Sequence, residues 1–225
     1  MKKQKLLNEL ASIKQLIMVS GDDWTARQTA IAKINELTAA IAKPQRTNEE
    51  WYTPPWMIER ARLLFAETTK HFQSGKYTIS LDPASNGTAQ RWIQAEQFFT
   101  KEINGLPQDG LSQDWATTPN RTIWCNPPYG KMTQPFLLKG LETHSLEPTS
   151  QLLFLVNRTG ADWYRELRPK FTAICELHKR VAFIDQNGVT QTAPRYYNDL
   201  LYLGRPDRFE QVFHDIGDIT VFRSK

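Results

Sequence analysis

Thr122-Ile123-Trp124-Cys125-Asn126-Pro127-Pro128-Tyr129 joins an apolar run to a turn of uncommon chemistry. The β-branched and aromatic residues before Asn126 predict a strand. Two consecutive prolines then stop it, because each ring fixes φ at about −65° and removes a backbone donor. The carbonyls at that point are free to face a ligand. Asn126 adds a side-chain oxygen acceptor and Tyr129 a flat ring. Together they predict a slot with two acceptors and a stacking face, suited to a planar substrate bearing an NH2 group. Alkylation of a heterocyclic amino nitrogen needs such a slot. The lone pair of that nitrogen is delocalised into the ring, and accepting both amino hydrogens draws charge back onto it. The Asn126 oxygen and the Pro127 carbonyl are acceptors of the right type, with Tyr129 holding a flipped base by stacking. Neither a metal nor a covalent intermediate is required.

Outward from this stretch, short apolar runs alternate with helical ones. Strands are predicted at 77–81, 123–125, 151–156, 181–184 and 198–203, with a further one around Ala173-Ile174-Cys175, and helices at 55–72, 88–99, 133–144 and 161–168. The alternation predicts an α/β domain with a mostly parallel sheet and ligand sites at the carboxyl ends of its strands. Residues 1–46 differ. Leu6, Leu10, Ile13 and Ile17 recur at helical spacing, Gly21 can stop that helix, Asp22 or Asp23 can cap a second, and Trp24, Ile31, Ile34, Thr38 and Ile41 continue the pattern to Pro44. An N-terminal α-helical hairpin is expected over 1–46, followed by one domain over 47–225. Its role stands open between a basic arm on nucleic acid, a dimerising pair and an ordinary packing element with a solvated basic face.

The chain of 225 residues carries 28 Lys and Arg against 24 Asp and Glu, a net +4, and is 40% hydrophobic, which suits a buried core and excludes wholesale disorder. All of the net charge sits in residues 1–46, with eight bases and four acids. Elsewhere the signs separate: residues 49–114 have nine acids and six bases, and residues 152–205 eight bases and five acids. The longest apolar run, Leu152 to Val156, is far below the roughly 20 residues that span a bilayer. Polar Asn8, Glu9, Lys14 and Gln15 interrupt any signal-peptide core after Met1-Lys2-Lys3. A cytoplasmic protein without membrane contact is expected. Cys125 and Cys175 read as buried free thiols, the four histidines have no zinc-site spacing, and neither a phosphate-binding loop nor a serine elbow is present.

Five stretches in order carry a family resemblance: Trp51-Tyr52-Thr53-Pro54-Pro55-Trp56; Leu81-Asp82-Pro83-Ala84-Ser85; Thr122 through Asn126-Pro127-Pro128-Tyr129-Gly130; Asn157-Arg158-Thr159-Gly160-Ala161-Asp162-Trp163; and Arg180-Val181-Ala182-Phe183 with Ala193-Pro194. Over roughly 51–205 the chain resembles the phage-type, Dam-like DNA N6-adenine methyltransferases. The resemblance implies a Rossmann-like methyltransferase sheet, S-adenosyl-L-methionine as methyl donor, no metal, and DNA as partner, in a phage, prophage or restriction-modification setting within a bacterial cytoplasm. It makes Asn126, Pro127, Pro128 and Tyr129 the catalytic residues.

The resemblance places Thr53, Pro54 and Trp56 on a helix that closes over the donor, with Thr53 as its cap. It makes Asp82 a partner for the donor's cationic methionine end, within the loop Pro83, Ala84 and Ser85, and gives Ser85 or Asn86 its polar edge. Asp109 and Asp114 stand open between donor contacts and plain loop acids. Two departures stand out. The loop after the first strand has one glycine, Gly87, and Asp82 to Asn126 is too short for two full strand–helix units. The sheet is therefore expected to be abbreviated in the middle, with Glu96 the nearest acid for the donor's ribose. Arg158, Lys179, Arg180 and Arg195, with Trp163, Tyr196 and Tyr197, are the DNA-binding candidates on the basic later half. Two other readings remain: a methyltransferase with the same four residues acting on RNA or protein glutamine, and a non-catalytic DNA-binding protein on a decayed fold.

Overall fold

The computed structural model describes residues 51–66, 79–100, 102–103, 106–107, 109–191 and 194–222. The chain divides into units Met1–Glu50 and Trp51–Lys225, and all of the described residues belong to the second. The hairpin expected over 1–46 and the boundary at 46/47 lie outside the described residues, as do Tyr77, Thr78, residues 67–72 and Ala193.

The elements are α1 (Pro55–Phe65), β1 (Leu81–Asp82), α2 (Gln90–Ile93), β2 (Gln97–Phe98), β3 (Glu102–Ile103), β4 (Leu106–Pro107), β5 (Thr122–Cys125), α3 (Thr133–Leu146), β6 (Gln151–Asn157), α4 (Asp162–Leu167), β7 (Ala173–Leu177), β8 (Asn198–Leu203), α5 (Pro206–Phe213) and β9 (Gly217–Val221). Seven strands form one sheet in the order β2-β1-β5-β6-β8-β7-β9, and β3 and β4 pair separately. β2, β1, β5 and β6 pair in parallel, whereas β8 runs against both β6 and β7, and β9 against β7. Five of the seven strands thus point one way.

β5, β6 and β8 are buried along nearly their whole length, which is why they read as continuous apolar runs rather than alternating ones. Their side chains nonetheless alternate between two cores. Trp124, Leu153, Leu155, Leu200 and Tyr202 pack with α1 and α5 through Met57, Ile58, Phe65, Phe209 and Phe213. Ile123, Cys125, Leu152, Phe154, Val156 and Leu201 pack on the other face with Phe136 and Leu137 of α3 and Tyr164 and Leu167 of α4. The result is a three-layer helix–sheet–helix sandwich, and each such large side chain contributes about 1.5–3 kcal/mol by leaving water. α3 lies directly on the sheet at Gly140, where an added Cβ would fall 2.3 Å from Cζ of Phe154. Among the described residues no helix is long and apolar enough to cross a membrane.

This is the α/β sheet expected of a Rossmann-like methyltransferase, and its middle is abbreviated: between β1 and β5 the chain adds only two-residue β2 to the main sheet, plus the small β3–β4 ladder. Two expectations need correction. The helix predicted over 88–99 is confined to Gln90–Ile93, because Gln94 turns left-handed at φ 47° and the chain doubles back into β2. The strand predicted over 181–184 is absent. Ile184 makes only isolated bridges to Tyr52 and Thr190, and the place beside β6 is taken by β8. Val181, Phe183 and Ile184 are apolar because they are buried from a loop.

Candidate active site

The carboxyl ends of β1, β5, β6 and β7 open on one edge of the sheet. The amino end of the reversed β8 joins them there. β1 is followed by a crossover to β2 on one side, while β5 and β6 continue on the other, so the crevice of this fold lies between Asp82 and Asn126.

Asn126 follows β5 directly. Its Nδ2 donates to the hydroxyl of Thr53 at 3.3 Å, whereas its Oδ1 is buried with no hydrogen-bond partner among the described residues. An acceptor in that state carries a desolvation cost until a donor arrives. Pro127 is buried; the Pro128 carbonyl accepts from the Thr133 hydroxyl at 3.3 Å, while the Pro127 carbonyl accepts no hydrogen bond among the described residues. Gly130, at φ 90°, then turns the chain into α3. Tyr129 keeps 36% of its surface exposed and meets Phe183 edge-on, with ring centroids 6.0 Å apart. Its hydroxyl accepts from Nδ2 of Asn198 at 3.2 Å. Asn198 is 1% exposed, and the same amide nitrogen also reaches the Val156 carbonyl and Oδ1 of Asn157, while its oxygen accepts from the Val181 N–H.

Asp82 ends β1 and is buried without a Lys or Arg partner among the described residues. Its carboxyl group receives hydrogen bonds from Nε2 of Gln90 (3.0 Å), the Ala84 N–H (3.4 Å) and Ser85. Burial outweighs these and lifts its pKa to about 7. A buried carboxyl lacking a counter-charge suits a cationic ligand, so these residues fit the amino acid end of an S-adenosylmethionine donor. The Asp109 turn packs against the same loop, since an added Cβ on Gly110 would come within 1.9 Å of the Pro83 carbonyl oxygen. Asp109 itself accepts from the Leu111 N–H.

Other members of the expected donor set lie differently. Thr53 does not cap α1: Pro54 stands at that position without a side-chain cap, and the Thr53 hydroxyl is turned to Asn126 instead. Trp56 is 46% exposed on α1. Asn86 spends its side-chain oxygen on the N–H groups of Thr88 and Ala89, in the turn that leads into α2. Glu96 is at the amino end of β2, its N–H bonded to the Ile79 carbonyl, so it is placed before rather than after the strand and away from the crevice. Asp114 caps its own turn at Ala116 and acts on Arg121.

Against known families, residues 41–214 match the model described as DNA N-6-adenine-methyltransferase (Dam). The chain belongs to the DNA N-6-adenine-methyltransferase family. The Dam match takes in all five stretches quoted from the sequence, from Trp51 to Pro194. No curated protein sequence matches the chain.

In this Dam-family chain the expected DNA-facing residues divide into two groups. Lys179, Arg180, Arg195, Tyr196 and Tyr197 are exposed, with Arg180 4.8 Å from the ring centroid of Tyr197, the residue before Asn198. Arg158 is bound inward: its Nε is 2.7 Å from the buried Asp199, with Glu176 at 3.7 Å, and Tyr164 donates to the other Asp199 oxygen at 2.5 Å. Burial raises the Asp199 pKa, an effect those bonds oppose. Trp163 is half-buried, edge-on to Tyr164. Sequence reasoning missed Asn198 as the holder of Tyr129 and Thr53 as the holder of Asn126. The one available signal was the pair of polar residues, Asn198-Asp199, heading a strand otherwise apolar throughout.

Proposed function

We propose that the chain is an S-adenosyl-L-methionine-dependent methyltransferase that transfers a methyl group to N6 of adenine in DNA by direct displacement. The observation that carries this reading is the buried, unpartnered Oδ1 of Asn126, on an amide whose nitrogen is already anchored. When bound, the donor supplies an electrophilic methyl carbon. Asn126 Oδ1 and the Pro127 carbonyl accept the two N6 hydrogens, which localises the lone pair on nitrogen and aims it. Tyr129 stacks on the flipped base, its orientation fixed by Asn198 at the hydroxyl and Phe183 at the ring edge. Asp82 pairs with the donor's ammonium group, and Ser85, Ala84 and Gln90 hold the carboxylate. Pro54, Trp56, Pro83 and Asp109 complete the donor surface, while the Thr53 hydroxyl is engaged by Asn126 rather than by the donor. Lys179, Arg180 and Arg195 meet phosphates, with Tyr196 and Tyr197 available for stacking. Arg158 and Trp163 act from behind them, through Tyr197 and Tyr164.

Transfer of labelled methyl groups to duplex DNA, followed by nucleoside analysis, tests the reading. Wild type is expected to yield N6-methyladenine. Asn126→Ala is expected to lower the single-turnover rate at least about a hundredfold while donor affinity stays within about twofold. Near-normal labelling of adenine by Asn126→Ala would overturn it, as would labelling of RNA or protein glutamine in place of DNA. Failure of the wild type to bind the donor in calorimetry would favour a non-catalytic protein.

A further inference from the structure

The two ends of a primary amide are nearly the same shape but opposite in hydrogen-bonding sense. Rotated by half a turn, Asn126 would present two donors to a substrate amino group that is itself a donor, and the slot would repel what it has to hold. The amide must therefore be held with its oxygen inward, and its nitrogen needs a partner on the other side. The amide nitrogen of Asn126 has one hydrogen-bond partner among the described residues, the hydroxyl of Thr53, 73 positions earlier in the chain. Thr53 is well placed to be rigid. It is 3% exposed, and Tyr52 before it exchanges both backbone hydrogen bonds with Ile184 at 2.9 Å. Pro54 and Pro55 after it have fixed φ, and the Pro54 carbonyl accepts from the Met57 N–H as α1 begins. The hydroxyl does not cap α1, so capping does not explain it.

We infer that Thr53 is a positioning residue: its hydroxyl, which can donate as well as accept, holds the outer end of the Asn126 amide in place, here by accepting from Nδ2, and leaves Oδ1 for the amino hydrogens of the substrate. The inference rests on the methyltransferase reading for its consequence on rate, but its geometric part does not. Thr53→Val keeps the shape and removes the hydroxyl; Thr53→Ser keeps the hydroxyl. In the full chain, Thr53→Val is expected to lower the single-turnover rate at saturating donor and acceptor by about ten- to a hundredfold, the effect of a lost and unreplaced buried hydrogen bond. Donor affinity by calorimetry should stay within about twofold, and Thr53→Ser should recover the rate to within about threefold of wild type. In nitrogen–proton correlation spectra, the Asn126 side-chain NH2 pair, assigned by its disappearance in Asn126→Ala, should shift in Thr53→Val and return in Thr53→Ser. An unmoved NH2 pair overturns the inference. A fall in donor affinity that matches the whole fall in rate also overturns it, since Thr53 would then act on the donor directly. Failure of the DNA reading appears elsewhere, in the wild type labelling another acceptor or none. In the first case the rate ratio is taken on that acceptor, and in the second the NH2 pair alone decides.

Discussion

Ionising Asp82 costs the fold, because burial disfavours its charged form. Unfolded, its carboxyl group ionises near 3.8; folded, burial holds it protonated up to about 7. Between those values the unfolded state gives up a proton that the folded state keeps, so the contribution of Asp82 to stability falls as pH rises from about 4 to 7. Asp82→Asn is therefore expected to be more stable than wild type above pH 7 without donor, by at most about 4 kcal/mol, and to lose that advantage near pH 4. Urea unfolding of both proteins at pH 4.5 and pH 8, conditions set by these two pKa values, checks it. Donor binding should carry the opposite sign. A cation needs the ionised carboxylate, so wild-type affinity should rise about tenfold per pH unit up to about 7 and then level, while Asp82→Asn binds weakly and without that slope. A flat wild-type profile would remove Asp82 from the donor site. At this scale the sequence singled out the contiguous turn Asn126 to Tyr129, which the structure places directly after β5. It was silent where a role depends on a side chain far along the chain, as with Thr53 and Asn198, because no local pattern encodes a pairing across some seventy residues.

Among elements, strands buried on both faces were easy to read and their neighbours were not. β5, β6 and β8 declare themselves as apolar runs, but Val181 to Ile184 has the same composition and is a loop. Burial selects for apolar residues whether or not a ladder forms. Likewise Ala89 to Gln97 has helical composition, yet the side chain of Gln90, bonded to Asp82, Ser85 and the Ala95 N–H, ends the helix after one turn. The same loop explains the close seat of the Asp109 turn. Gly110→Ala would drive a Cβ against the Pro83 carbonyl oxygen, a backbone atom with nowhere cheap to go. A destabilisation of about 1–3 kcal/mol in urea unfolding is expected, together with weaker donor binding in calorimetry. Gly160→Ala, where nothing lies within 4 Å, should change stability by less than about 0.5 kcal/mol and serves as the control.

Across the whole molecule, charge is sorted along the chain. Bases dominate residues 1–46 and 152–205, acids dominate 49–114, and the family match leaves residues 1–40 outside it. Removing residues 1–46 is expected to weaken DNA binding and flatten its dependence on salt, by about 0.9 in the logarithmic slope for each phosphate that the segment neutralises, while leaving donor affinity intact. Anisotropy titrations over a range of salt concentrations measure the first and calorimetry the second. Abolished donor binding in the truncated protein would make that segment part of the donor domain.

The slot draws its supports from both ends of the described chain: Thr53 precedes it by 73 residues and Asn198 follows Tyr129 by 69. During synthesis the four residues Asn126 to Tyr129 emerge from the ribosome long before β8 does. A nascent or C-terminally clipped chain thus contains the whole Asn126 to Tyr129 signature and lacks the strand that steadies its ring. On the proposed reading, the support of the Tyr129 ring is complete only when Asn198 has been made and β8 folded, so fragments left by interrupted translation or proteolysis are expected to carry the signature without the activity.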